Sequence, residues 1–363
     1  MTARFESLHE FRIPLRNELV VGGRSVGERE GLFITMATAD GARGVGEIAP
    51  LPGFHKETVA DCLQLLKAHQ SVLNELPLPA DGAALSTLFE ALAPFANLPS
   101  LHFGLSMAAV NLQAVRRGVQ PAEWLDAAPL TRLLVNGLVM TPPAQWLTDG
   151  QRLADEGFRV IKIKVGRAAA RDEAAALLAL HAQLGDRVQF VLDGNRAWTP
   201  SEADGFLSQI HSLPLLYCEE LLHKPAELAA LQARSGVAMA LDETLFDAAP
   251  PADLISQWPS VLVLKLDRIQ GSLATGLQLA AAARERGQPA IVSSAFNTLV
   301  GWSFLVQVAA ALHGPHAGLD TQRCYSAALT CDPACWSEGA IDVPRSWIND
   351  IIRFAPYCRE VVL

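Results

Sequence analysis

The chain changes rhythm about a hundred residues in. Before that point, short apolar-polar runs at residues 5–13 and 31–38 are punctuated by Gly22-Gly23, by Gly41, and by Ala49-Pro50-Leu51-Pro52-Gly53. Such runs bounded by Gly and Pro read as strands. Apolar segments of helical period follow at 58–69 and 103–117, the second stopped by Gly118. Strands followed by helices predict an α+β lobe.

From about Thr131 the pattern alternates regularly. Continuous apolar runs lie at 133–139, 160–165, 188–192, 215–218, 237–241, 261–266, 290–292 and, more weakly, around Gly318-Leu319. Ala/Leu-rich segments of helical composition, such as 168–184 and 271–286, separate them. Strands covered on both faces read as unbroken apolar runs, as in parallel sheets. Eight strand-plus-helix units match a β/α barrel better than an open doubly wound sheet. The expected division is an N-terminal lobe over 1–125, a barrel over 126–322, and a tail over 323–363, with Trp336 and Trp347, returning to the first lobe.

The ends of these runs carry the chemistry. The second ends in Lys162-Ile163-Lys164, the third in Asp193, the fourth in Glu219-Glu220, the fifth in Asp242-Glu243 and the sixth in Lys265. In a barrel all of these lie on the C-terminal rim, where active sites form. Alone, each has an ordinary explanation: a strand-end Lys that snorkels to solvent, or a carboxylate that caps the next helix. Five consecutive strands ending in Lys-x-Lys, Asp, Glu, Asp and Lys form a set that those explanations do not cover.

Clustered carboxylates repel unless some are protonated or a cation sits among them. An all-oxygen set without Cys or His favours Mg²⁺, with Mn²⁺ able to substitute, over zinc. Lys162 and Lys164, two apart on a strand, share one face. Two neighbouring ammonium groups near a divalent cation should depress one lysine towards the range of a base. The chemistry suggested is proton abstraction beside a carboxylate, the solution already described for enolase-type sites. The choice between Glu219 and Glu220 stays open on pattern alone, although alternation sends the two to opposite sides.

Composition narrows the partners. A formal charge of −9 without any Lys/Arg-rich run argues against nucleic acid. No apolar stretch reaches the roughly 18–20 residues of a membrane helix, and the start has no signal-peptide core. Six cysteines without paired spacing read as reduced structural thiols of a cytoplasmic protein. Gly44-Val45-Gly46 imitates a dinucleotide-binding loop but runs into Pro50 and Pro52 instead of a helix. His55, in the loop over 51–56, reads as a surface-loop histidine, with contact to substrate as the alternative. The partner expected is a small-molecule carboxylate; the oligomeric state is open.

Residues 161–166, Leu192-Asp193-Gly194-Asn195-Arg196-Ala197-Trp198-Thr199, Cys218-Glu219-Glu220, Leu241-Asp242-Glu243-Thr244 and Leu264-Lys265 resemble the motifs of the enolase superfamily, in its muconate-lactonising branch. In the first lobe, Arg29-Glu30-Gly31-Leu32, Gly46-Glu47-Ile48-Ala49-Pro50-Leu51-Pro52-Gly53-Phe54 and Phe103-Gly104-Leu105-Ser106 resemble the o-succinylbenzoate synthase family. The resemblance implies an α/β fold, a modified TIM-type (β/α)7β barrel with an N-terminal α+β capping domain completed by the C-terminal tail. It implies Asp193, Glu219 and Asp242 as Mg²⁺ ligands and Lys164 as the base. Lys265 would stabilise the enediolate from the opposite face, with Lys162 supporting charge near the carboxylate. Ser293 and Ser294 would contact the distal part of the substrate, and the loops at 22–25 and 51–54 would close over the mouth. Leu221 and Leu266 stand where the family usually has Pro, and Val191 where some members have Arg. N-acylamino-acid racemases and dipeptide epimerases share the same catalytic set, and a non-catalytic barrel relative is the other alternative. Dipeptide epimerases typically hold the substrate amine with an acidic pair after the eighth strand, where this chain offers only Asp320.

Overall fold

The computed structural model describes residues 1–247 and 261–363. Strands β1 (Thr2–Val21) and β2 (Arg24–Ala37) form a long antiparallel hairpin, and β3 (Arg43–Ile48) pairs with β2. These strands extend well beyond the expected runs. Gly22-Gly23, expected to break the strand runs, does so as the two-residue hairpin turn between β1 and β2, with φ of +54° and +75°. Only residues tolerant of positive φ close such a turn with the twist of the strands.

Helix α1 (Pro99–Arg117) lies on this sheet. It begins before the expected Phe103 because Pro99 occupies the first turn, where its missing N–H costs nothing. Gly44, Gly46 and Gly104 allow the close approach: a Cβ on Gly46 would overlap the carbonyl of Gly104. The glycines that imitate a nucleotide loop therefore serve helix-on-strand packing. At the other edge, β11 (Cys358–Glu360) pairs with β1, so the end of the chain completes the N-terminal sheet. Trp347 donates from Nε1 to Asn111 of α1 at 3.1 Å, whereas Trp336 packs on Phe158 and Trp302 of the barrel.

Seven parallel strands form the second sheet: β4 (Asn136–Val139), β5 (Val160–Lys164), β6 (Gln189–Asp193), β7 (Leu215–Glu219), β8 (Met239–Leu241), β9 (Val261–Leu264) and β10 (Ala290–Val292). Helices α2 (Pro143–Asp155), α3 (Ala170–Leu184), α4 (Pro200–Gln209), α5 (Leu228–Ser235), α6 (Ser272–Glu285) and α7 (Leu299–Leu312) cover it. The first run differs from expectation. Arg132–Leu134 pairs antiparallel with Ala340–Asp342, and only the residues from Asn136 onward pair with β5.

The weak eighth run closes the ring. Ala317 N donates to Leu134 O at 2.8 Å and Gly318 N to Val292 O at 2.9 Å, while Asn136 N and Ser294 N donate to the carbonyls of Ala317 and Gly318. Two bridges do the work of a strand. Inside, Val160, Val191, Tyr217, Ala240, Val261, Val263 and Ile291 form a cluster of their own. Their neighbours Ile161, Phe190, Leu192, Cys218, Leu241 and Leu262 face outward into the main core.

Candidate active site

Strand alternation fixes which side chains reach the barrel mouth. Two residues beyond the interior Val160, Val191, Tyr217, Ala240, Val263 and Ile291 stand Lys162, Asp193, Glu219, Asp242, Lys265 and Ser293. Lys164 is one further step along β5. Side chains two apart share a face, so the whole set projects from inside the ring to its C-terminal rim.

The same parity separates Glu219 from Glu220. Glu219 faces inward with Asp193 and Asp242, and one carboxylate oxygen from each of the three lies within 4.8 Å of the others. Glu220 turns away with a φ of +40°. Its carboxylate accepts from Asp242 N at 3.1 Å and Thr244 N at 2.8 Å, and pairs with Arg196 Nε at 3.1 Å. Glu220 thus shapes the backbone that carries Asp242.

The lysines surround the triad. Lys164 Nζ stands 2.6 Å from Asp193 Oδ2 and donates to Asn195 Oδ1 at 2.9 Å. Lys162 Nζ lies 2.9 Å from the same Asp193 oxygen and also bonds Glu219 Oε2, while Lys265 pairs with Asp242 Oδ2. Burial works against the charge of Lys162, but Asp193, Glu219 and Asp242 outweigh it and hold this lysine well above its ordinary range. Lys162 is therefore not the lysine of the pair that is depressed, because carboxylates outnumber ammonium groups around it. Burial also acts upward on Asp193, yet Lys162 and Lys164 hold it far below the usual carboxylate range. Glu219 is pushed up to about 8 by burial.

A hard cation fits this donor set. Asp242 Oδ1 is buried and has no hydrogen-bond partner, an oxygen available beside two further carboxylates. Buried acceptors without partners are costly, and coordination to a divalent ion would satisfy this one. Among the described residues no other group of His, Cys, Asp or Glu has such an arrangement.

The rim opens into a cavity of about 760 Å³. Its floor carries Lys162, Lys164 and Lys265, its far wall Ser293, Ser294 and Phe296, and its roof Val21, Gly22, Gly53 and Phe54 from the N-terminal lobe. Glycine meets glycine in the roof, where a Cβ on Gly22 would overlap Gly53 O. Arg268 lies between the rings of Phe54 and Phe246, its guanidinium carbon 3.7 and 4.2 Å from their centroids. Ser293 Oγ donates to Gly318 O at 3.3 Å, and Ser294 Oγ to Asn297 Oδ1 at 3.0 Å.

Several contributors were not legible beforehand. His55 is no surface histidine: its Nδ1 accepts from Leu51 N at 2.9 Å, and its Nε2 lies 3.0 Å from Asp267 O, which ties the roof to the barrel. Glu173, in the first turn of α3, accepts from the backbone N–H groups of Gly166, Arg167 and Ala168 and so holds the loop after Lys164. Acidic residues in a first turn are read as dipole partners, which concealed this role.

A ring of carboxylates flanked by lysines at the mouth of a parallel barrel defines a class of enzyme that draws protons from carbon beside carboxylates. The sequence matches the family "Enolase C-terminal domain-like" over residues 147–346 and "MenC, N-terminal domain" over residues 3–112. It is 32% identical to an o-succinylbenzoate synthase of Edwardsiella ictaluri, covering 94% of this chain and 98% of that one. It is 30% identical to one of Pasteurella multocida, covering 83% and 84%. Similar folds include muconate lactonizing enzyme from Pseudomonas fluorescens complexed with muconolactone, with a TM-score of 0.83, 18% identity, and coverage of 99% and 100%. A dipeptide epimerase from Cytophaga hutchinsonii complexed with Mg and a dipeptide also superposes, with a TM-score of 0.83, 16% identity, and 99% of both chains covered. The chain belongs to the enolase superfamily and, within it, to the o-succinylbenzoate synthase family of enzymes.

Proposed function

We propose that the chain catalyses the Mg²⁺-dependent syn dehydration of 2-succinyl-6-hydroxy-2,4-cyclohexadiene-1-carboxylate to 2-succinylbenzoate. The observation that carries this reading is the placement of Lys164 on β5 and Lys265 directly after β9, with the three strands that lead to the carboxylates between them. A substrate carboxylate seated over the triad would then have an amine on each side.

Asp193, Glu219 and Asp242 would hold the ion. When bound, Mg²⁺ supplies positive charge at the substrate carboxylate, which lowers the cost of the enediolate. Lys164, as the neutral amine, takes the α-proton; the C–H electron pair moves into the enediolate, and Lys265 offsets its charge from the other side. On elimination the C–O bond breaks, and the leaving hydroxyl departs as water with the proton that Lys164 had taken. The ring becomes aromatic, and Lys164 returns to its starting state. Lys162, wedged between Asp193 and Glu219, holds charge and geometry beside the carboxylate. The roof of Gly22, Gly53 and Phe54 excludes water from the anionic intermediate. Ser293 and Ser294, which line the far wall of the cavity, would contact the distal part of the substrate.

Racemisation of N-acylamino acids uses the same two lysines and is the second reading. For dipeptides the site is less suited. Asp320, the only acid offered after the eighth strand, already accepts from Leu138 N at 3.0 Å and Arg323 Nε at 2.6 Å, so its carboxylate is engaged within the protein.

The test is an absorbance assay for 2-succinylbenzoate formation with Mg²⁺ and with EDTA. Turnover that EDTA abolishes is expected. Absence of turnover in the presence of Mg²⁺ ends the assignment, and racemisation of an N-acylamino acid without dehydration would replace it by the second reading.

A further inference from the structure

Two buried charged residues of the N-terminal lobe, Arg29 on β2 and Glu47 on β3, lie away from the triad and have no part in the chemistry above. Both reach across to the loop that follows β10. Glu47 Oε1 accepts from Thr298 N at 3.1 Å and Asn297 Nδ2 at 3.3 Å, and its Oε2 accepts from Gly301 N at 2.9 Å and from the Thr298 hydroxyl. A carboxylate from one lobe therefore caps the first turn of a helix in the other. Gly301 makes the approach feasible, since a Cβ there would stand only 2.8 Å from the Glu47 carboxyl carbon.

Arg29 holds the same loop from its other end. Nε donates to Phe296 O at 2.9 Å, while Nη2 donates to Ala49 O at 2.7 Å and Nη1 to Pro50 O at 3.4 Å. One guanidinium thus joins the chain leading into the cavity roof to the loop forming its far wall. Phe296 has a φ of +58°, a region that bulky residues enter only when surroundings impose it. Its carbonyl is fixed by two donors, Arg29 and the Tyr325 hydroxyl at 2.7 Å.

The grip extends to the cavity lining through one side chain. Asn297 Nδ2 donates to Glu47 and, at 3.1 Å, to Asp267 Oδ2. With both acceptors carboxylates, the amide has a single orientation. Its Oδ1 then accepts from Ser294 Oγ at 3.0 Å and Ala295 N at 3.2 Å. The orientation of the Ser294 hydroxyl is accordingly set by a carboxylate in the neighbouring lobe.

We propose that Arg29 and Glu47 are positioning residues that build the distal wall of the substrate cavity, so that docking of the N-terminal lobe and formation of the pocket for the substrate's distal arm are one event. The inference rests on the proposed function only in taking Ser294 and Phe296 to face that arm. Neither residue touches the reacting atoms, so the effect falls on substrate capture and not on the chemical step.

The experiment compares the wild type with Glu47→Gln and Arg29→Lys, and with Phe33→Leu as a control. Phe33 pairs with Glu47 across the strands but packs its ring on Phe11 and Phe354, so this change loosens the same sheet without removing a bond to the loop. Hydrogen exchange is measured on the full-length protein with Mg²⁺, and KM and kcat are measured for 2-succinylbenzoate formation. Amides of residues 294–298 should exchange at least tenfold faster in Glu47→Gln and Arg29→Lys, with those of β5 to β7 unchanged. KM should rise about tenfold or more, with kcat within about threefold. Phe33→Leu should lower the melting temperature without either effect. Unchanged exchange at 294–298 overturns the proposal. So does faster exchange with an unaltered KM, since the loop would then be held without shaping the pocket. A wild type without turnover would refute the proposed function instead, and the exchange data would still decide whether these residues hold the loop.

Discussion

Lys164 stands directly opposite Asp193 in neighbouring parallel strands, its Nζ 2.6 Å from Asp193 Oδ2. A base needs its lone pair free, and an ammonium that donates to Asp193 has none to offer. A divalent cation held by the triad would compete with that ammonium for the charge of Asp193 and so favour the neutral amine.

This competition predicts that Mg²⁺ stabilises the protein. At a hundredfold excess over its dissociation constant the ion should add about 2.7 kcal/mol, read as a rise in melting temperature. Asp242→Asn should remove most of the shift. An equal rise in that variant would place the ion elsewhere.

Lys164→Ala should lower kcat for 2-succinylbenzoate formation by at least ~10²–10⁴-fold, the range typical of a lost acid-base group. The Mg²⁺-dependent thermal shift should persist. Robust turnover in this variant would transfer the role of base to another residue.

Glu173→Ala leaves the N–H groups of Gly166, Arg167 and Ala168 without their acceptor. A loss of about 1–3 kcal/mol of stability is expected for part-buried N–H groups deprived of a charged acceptor, measured by urea unfolding. Because this loop leaves β5 immediately after Lys164, kcat should fall as well. A fully active variant would show that the base does not depend on the loop.

Acid sensitivity follows from two buried histidines. Burial lowers His102 and His316 to about 4. Their folded values lie below the roughly 6.5 of the unfolded chain, so the unfolded state takes up protons first as pH falls. Stability is intact above about 6.5 and is lost as pH drops towards 4, by roughly 2–3 kcal/mol for each histidine. Asp320, raised to about 6 by burial, acts in the opposite direction, so the comparison must be made against a single substitution. His102→Gln should flatten the loss between pH 7 and 4.5 by about 2 kcal/mol in urea melts; an unchanged slope would rule out His102 as a source.

Gly46→Ala tests the packing of the N-terminal lobe. The added methyl would overlap the carbonyl of Gly104 in α1, which backbone cannot readily yield. A loss of about 1–3 kcal/mol or more is expected, and wild-type stability would show that the helix can move aside.

The barrel was readable from the chain because strand parity is a local property. Apolar runs marked the strands, and a polar residue two places beyond an interior one had to emerge at the rim, as Asp193 does after Val191 and Glu219 after Tyr217. The eighth strand was faint because two bridged residues, Ala317 and Gly318, suffice to close the ring. The split of the first run at Val135 was invisible, since it depends on a strand two hundred residues later.

Sequence alone thus determined the order of strands and the chemical identity of the groups at the mouth, because each is set by alternation within a few residues. Tertiary structure decided what those groups touch: that Lys162 lies among three carboxylates, that Glu220 serves the backbone, and that His55, Arg29 and Glu47 join the lobes. Those relations link residues up to about 267 positions apart, and no local pattern encodes a contact whose partner is brought there only by the closing of the barrel beneath its cap.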